Sequence, residues 1–256
     1  MKVVLCGVRH PGNVGAAARA MKTMGLSDLA LVAPEVRWQT DEARWLAHES
    51  EDVFDGARVY DDLGAAVADC VLVVGTTSRR RHRDVRFLDP ERAAALLRDA
   101  ARSGPVAIVF GSERMGLTND ELALCHHVAR VPSAVRQPSL NLAQTVMLFA
   151  YAWHRAAEPS DAAAPQAPSP DAPSPSAPRA PALARSASVE AMLAHFESAV
   201  GQLDFPENVR KAFLLSFRNL LSRAFLRERE VNLFHTLAAQ IERRVSQAKP
   251  PEQACR

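Results

Sequence analysis

Cysteine is scarce and unpatterned in this 256-residue chain. Cys6, Cys70, Cys125 and Cys255 are scattered, without the spacing of a disulfide framework or a Cys-x-x-Cys metal site. The first three read as buried core thiols. No apolar run approaches the roughly 20 residues that a membrane-spanning helix requires, so no membrane partner is expected. The opening "MKVVLCGVRH" has too few apolar residues before Arg9 to form the core of a secretory signal, and a cytoplasmic location is expected. The net charge of +2 and isoelectric point near 8.5 are too mild to demand a polyanionic partner. Any case for nucleic acid must rest on local clusters. Also missing is a Gly-x-Gly-x-x-Gly after the first apolar run, so a conventional dinucleotide site is not expected. The Gly-x-x-Gly of "GNVG" matches the loop that KH domains place on RNA backbone, but its surroundings have the wrong order and size for that module.

What is present falls into three parts. Up to residue 156, the short apolar runs "VVLC" at Val3, "LALV" at Leu29, "VLVV" at Val71 and "VAIVF" at Val106 alternate with helix patterns. Continuous apolar runs of this length fit strands buried on both faces, hence an α/β domain around a parallel sheet. Local punctuation marks the helix ends: Gly25 as a C-cap, Asp89 with Pro90 as an N-terminus, and Thr118 with Glu121 as a capping box. Residues 157–187 form a Pro/Ala-rich linker, since Pro159 to Pro181 holds 8 of the 17 prolines and no aromatic or β-branched residue. It serves either as an extended spacer or as an insertion without a spacing role. Residues 188–248 repeat apolar positions at spacings of three and four, broken by Gly201 and Pro206, which predicts a small all-α domain of about three helices.

Three segments carry the chemistry: "GNVGAAARAMKTMGL" from Gly12, "IVFGSERMGLTNDEL" from Ile108 and "VPSAVRQPSLNLAQTVMLFAY" from Val131. In this order they resemble the three motifs of the SPOUT superfamily, SpoU/TrmH branch, whose members transfer a methyl group from S-adenosylmethionine to RNA ribose 2'-hydroxyls. Their wording is most similar to that of the bacterial members acting on cytidine or uridine 32 of the tRNA anticodon loop. The alternatives are another structured RNA such as rRNA, or an RNA-binding relative that has lost catalysis. The resemblance implies a C-terminal trefoil knot, a homodimer, tRNA as partner and S-adenosylmethionine as cofactor.

Residue by residue, the resemblance maps the cofactor pocket onto Thr76, Thr77, Ser78, Gly111, Val131, Pro138, Ser139 and Leu140. Thr76 to Ser78 offer hydroxyls and amides at a strand's C-terminal end, Gly111 permits close backbone approach, and Val131 and Leu140 supply apolar walls. Relatives commonly carry serine where Pro138 stands, so a hydroxyl and an amide hydrogen are absent there. The catalytic set carried over is Asn13, Arg19, Glu113, Ser139 and Asn141, with Arg19 beside the ribose. A guanidinium is almost never neutral, so Arg19 is read as stabilising negative charge while phosphate or water takes the proton. Glu113 also has a structural reading, as the partner of Arg114 or of a backbone amide. Arg79, Arg80, Arg81, Arg83 and Arg86 follow the proposed pocket and suit phosphate oxygens. The tail arginines, among them Arg210, Arg218, Arg227 and Arg229, alternate with Glu207, Glu228 and Glu230, which leaves RNA binding and dimer packing both open. His126 and His127 read as satisfied strand histidines rather than metal ligands, and no metal is expected.

Overall fold

A computed structural model describes residues 1–78, 87–133, 140–157, 183–221 and 224–248. The arginine cluster from Arg79 to Arg86, Pro138, Ser139 and most of the Pro/Ala-rich segment lie outside the described residues. The chain divides into two compact units, Met1–Pro181 and Ala182–Arg256.

Among the described residues of the first unit, six strands pair in parallel: β1 (Lys2–Cys6), β2 (Asp28–Val32), β3 (Arg58–Tyr60), β4 (Leu72–Thr76), β5 (Val106–Phe110) and β6 (His127–Ala129). Their order across the sheet is β3-β2-β1-β5-β4-β6. β1, β4 and β5 are buried at every position, as their continuous apolar runs predict for strands covered on both faces. Side chains alternate between the two faces. Val4, Cys6, Ala30, Val32, Val73, Ala107 and Val109 pack with helix α4 (Leu63–Val67) and with Leu117 and Cys125 on one face. Residues of the opposite parity, such as Phe110 edge-on to Phe149 at 5.8 Å, face a layer holding α1 (Pro11–Thr23), α5 (Pro90–Ala100) and α7 (Leu142–Arg155). In that layer α7 packs against both α1 and α5, while the short α2 (Asp41–Leu46) and α3 (Glu51–Asp55) flank α1. The short α6 (Asn119–Ala123) follows β5.

Local signals act where the sequence places them. Gly25 adopts φ +74° and closes α1 with bonds from its own N–H to Lys22 O and from Leu26 N–H to Met21 O. Thr118 and Glu121 form a reciprocal capping box on α6, and the Asp89 side chain accepts from Arg92 N–H at the start of α5. Cys6, Cys70 and Cys125 are buried thiols, and burial pushes Cys70 and Cys125 up to about 12. His126 is also buried. Desolvation and the neighbouring His127 bring it down to about 4, and its Nδ1 accepts from Val73 N–H at 3.1 Å, so it sits neutral against β4.

The second unit is helical: α8 (Ser186–Gly201), α9 (Glu207–Leu221) and α10 (Glu228–Ala248). α8 is the shared partner, with α10 laid along it and α9 against it. Phe196 of α8 stacks on Phe217 of α9 at 4.5 Å, and Phe217 meets Phe234 of α10 edge-on at 5.5 Å. Two basic residues of the tail are engaged within the unit. Arg218 binds Glu190 at 2.8 Å, and Lys211 binds Glu207 at 2.6 Å.

Candidate active site

Strand order decides where chemistry can gather. The chain steps outward from β1 through β2 to β3, then crosses so that β5 lies on the other side of β1. The loops leaving the C-terminal ends of β1 and β5 therefore flank the point where the progression reverses, which is where open α/β sheets bind ligands. The β1 loop runs into α1 and carries the first motif, and the β5 loop carries the second. Gly7, at φ +58°, turns the first away from the sheet; Gly116, at φ +67°, closes the second through its N–H to Ser112 O.

Glu113 joins them. Its carboxylate accepts from Arg9 N–H at 3.1 Å, His10 N–H at 3.2 Å and the Asn13 amide at 2.7 Å. Asn13 Oδ1 in turn accepts from the Asn141 amide at 2.9 Å, while Asn141 Oδ1 caps α7 by accepting from Ala143 and Gln144 N–H. One hydrogen-bonded chain, Asn141 to Asn13 to Glu113, thus links all three motifs. Partial burial works against the Glu113 anion, but the Asn13 amide and the N–H groups at the entrance to α1 outweigh it and hold the carboxyl below its ordinary value. A helix N-terminus favours negative charge for the same reason. Glu113 is therefore an acceptor held in place, which suits positioning rather than proton abstraction.

A pH dependence follows. The folded state holds Glu113 ionised below the ordinary carboxylate range, so its contribution is complete above pH about 4.3 and is lost as the pH falls through the lowered folded value. Amide exchange at Arg9 and His10 should stay protected through pH 4.3 in the native protein and rise only below it. In Glu113→Gln, one neutral carbonyl replaces two anionic oxygens, and these amides should exchange faster at every pH. Equal protection in both proteins would remove the carboxylate from the loop's support.

Residues mapped to the cofactor by resemblance divide into two groups. Thr76 is buried and its hydroxyl donates to Val109 O at 3.0 Å, so it pins β4 to β5. A Cβ on Gly111 would collide with the backbone of Gly116 and Leu117, which explains the glycine by closure of its own loop. Thr77, whose N–H bonds Ala129 O at 3.0 Å, is half-buried, as is Val131; Ser78 and Leu140 are exposed. These four lie at the C-terminal ends of β4 and β6 and at the entrance to α7. They supply two hydroxyls and two apolar side chains.

Arg19 stands apart from the Asn–Glu chain. It is six residues beyond Asn13, about 9 Å along α1, and exposed. It lines an open depression of about 630 Å³ with Leu46, Leu140, Gln144, Met147 and Leu148. Leu140 is also mapped to the cofactor by resemblance, whereas Leu46, Gln144, Met147 and Leu148 were not singled out from the sequence. Their signal is that α7, "LAQTVMLFAYAWHR", is apolar nearly all round although one side already packs on α1 and α5, which implies a second covered surface.

At the reversal of strand order, residues of the first two motifs and Asn141 of the third are brought into one hydrogen-bonded group. The model of the SpoU rRNA Methylase family matches residues 1–151, and the chain belongs to that family. Over 94% of its length it is 36% identical to the Salmonella typhimurium protein named tRNA (cytidine/uridine-2'-O-)-methyltransferase TrmJ, covering 96% of that protein. A Haemophilus influenzae relative, an uncharacterized tRNA/rRNA methyltransferase, is 34% identical over 97% of both chains. Among solved structures, that of TrmJ from Z. mobilis superposes with a TM-score of 0.76 at 31% identity, covering 94% of this chain and 98% of the other.

Proposed function

We propose that this protein is an S-adenosylmethionine-dependent 2'-O-methyltransferase of tRNA, acting on the ribose of cytidine or uridine 32 in the anticodon loop. The observation that carries the reading is the Asn141–Asn13–Glu113 chain joining three motifs that the sequence keeps far apart, in a protein sharing nearly its whole length with TrmJ relatives. The cofactor, when bound, supplies an electrophilic methyl group on a sulfonium. Thr77, Ser78, Val131 and Leu140 would hold it, with Pro138 and Ser139 completing the pocket. Glu113 and Asn141 hold Asn13 in one orientation, and Asn13 and Ser139 orient the ribose. Transfer would leave the proton of the 2'-hydroxyl with phosphate or water. The Arg19 guanidinium donates to the oxygen that gains charge and to the adjacent phosphate.

The exposed apolar residues of α7, Leu148 at 40% and Tyr151 at 51% exposed, support a homodimer in which a second copy covers them. The reading also takes in the trefoil knot, phosphate contacts from Arg79, Arg80, Arg81, Arg83 and Arg86, and a cytoplasmic location. No helix among the described residues is long and apolar enough to cross a membrane. Residues 1–156 form the methyltransferase domain and 188–248 an appended domain. Mass-spectrometric mapping of ribose methylation in tRNA incubated with the protein and S-adenosylmethionine should place one added methyl at pyrimidine 32. Methylation confined to an rRNA substrate, or no transfer to any RNA, would overturn the assignment.

A further inference from the structure

The helical unit contains an arrangement that methyl transfer does not use. His195 of α8 and His235 of α10 approach with Nδ1 to Nδ1 at 2.8 Å, and the other nitrogen of His195, Nε2, lies 3.4 Å from Glu242 Oε2 one helical stretch further along α10. The ring centroids are 5.1 Å apart, which is the Nδ1 separation plus one ring radius on each side. The two nitrogens therefore lie on the line between the rings and point directly at one another.

That geometry selects a proton over a metal. A divalent cation needs about 2.0–2.1 Å to each imidazole nitrogen, and two nitrogens facing head-on at 2.8 Å leave no room for it. A hydrogen bond of this length requires one nitrogen to carry a proton and the other to be bare. A carboxylate can only accept, so the Glu242 contact at 3.4 Å favours a proton on His195 Nε2, with His195 Nδ1 then the acceptor and His235 Nδ1–H the donor. A further proton can enter at His235 Nε2 without disturbing the contact. The next must go to His195 Nδ1, where two N–H groups and two positive charges would face each other.

We propose that His195 and His235 form a pH-sensitive latch between α8 and α10, closed by one shared proton and forced open when both Nδ1 atoms are protonated. The seam it ties is otherwise apolar: Ala199 and Ala238 are fully buried close to the pair in sequence. Of the other charged groups, Glu190 on α8 is held by Arg218 of α9, and Glu207 and Lys211 of α9 bind each other. Glu197 on α8 and Arg229 and Arg243 on α10 are exposed, and Arg210 on α9 is half-exposed. Glu242 is thus the ionisable partner placed to bias the pair. A state with both Nδ1 atoms protonated is incompatible with the contact, so acid favours the open state, by up to tenfold per pH unit for one proton.

The test is hydrogen exchange of the full chain at pH 7.5 and 5.5, corrected for intrinsic exchange rates, in the native protein and in His235→Asn. An asparagine amide can donate to His195 Nδ1 when that nitrogen is bare and can turn its carbonyl to it when protonated, so the latch no longer senses pH. Peptides of α8 and α10 should lose at least roughly tenfold protection at pH 5.5 in the native protein and little in the variant. An equal loss in both, or no loss in the native protein, overturns the proposal. Should the variant not fold, long-range 15N–1H correlation on the histidine-labelled native chain at pH 8 decides alone. His195 as Nε2–H with His235 as Nδ1–H supports the latch, and any other pair of tautomers overturns it.

Discussion

Arg19→Ala is expected to lower methyl transfer to tRNA by a factor of at least roughly 10²–10³, the usual cost of removing one donor from a developing oxyanion. Affinity for S-adenosylmethionine should change by no more than a few-fold, because among the described cofactor residues Leu140 alone lines the depression with Arg19, while Thr77, Ser78 and Val131 follow β4 and β6. Folding should be little affected, since an exposed mid-helix arginine replaced by alanine keeps helix propensity. Arg19→Lys separates charge from geometry: a lysine retains the cation and loses the planar fork that can reach phosphate and hydroxyl together. It should recover only part of the rate. The readouts are single-turnover transfer and cofactor binding measured on the same preparation. Near-native transfer by the alanine variant would take Arg19 out of the mechanism, and equal losses in transfer and cofactor affinity would assign it to the pocket instead.

Gly111→Ala should destabilise the protein even with no cofactor present. The added methyl meets the backbone of Gly116 and Leu117, which cannot rotate away as a side chain would, so the loop bearing Glu113 must open. Overpacking of this kind costs about 1–3 kcal/mol. For a chain of this size that corresponds to a fall of roughly 3–10 °C in the melting temperature. Gly201→Ala is the control, because nothing stands within 4 Å of its missing Cβ and it lies in α8 without a positive φ. It should be neutral or slightly stabilising. Thermal unfolding of the ligand-free proteins distinguishes loop closure from close approach of a cofactor as the reason for the glycine. An unchanged midpoint in Gly111→Ala, with cofactor binding lost, would favour the latter.

Much of the fold was legible because it is encoded locally. The runs at Val3, Leu29, Val71 and Val106 belong to strands sandwiched between two helical layers, so each position is apolar and the pattern stands out. β3 and β6 were not found. They are three residues long, lie at the two edges of the sheet, and "RVY" and "HVA" carry too few buried positions to differ from loop. The caps at Gly25, Asp89 and Thr118 were readable because each depends on backbone geometry within four residues.

The amino-acid sequence by itself determined the class of fold, the division into a sheet-bearing part and a helical tail, and the three motifs that mark the family. Tertiary structure alone decided what those residues do to one another. Asn13 and Glu113 are 100 positions apart and Asn13 and Asn141 are 128 apart, yet they share a hydrogen-bonded chain because β1 and β5 are neighbours in the sheet and α7 returns to α1. The same packing commits the Thr76 hydroxyl to Val109, fills the space at Gly111 and sets His195 against His235. Periodicity and capping constrain residues that are contiguous along the backbone. Convergence over such separations depends on strand order and on which helix faces meet, and those are chosen by burial of the whole core rather than by any single stretch of chain.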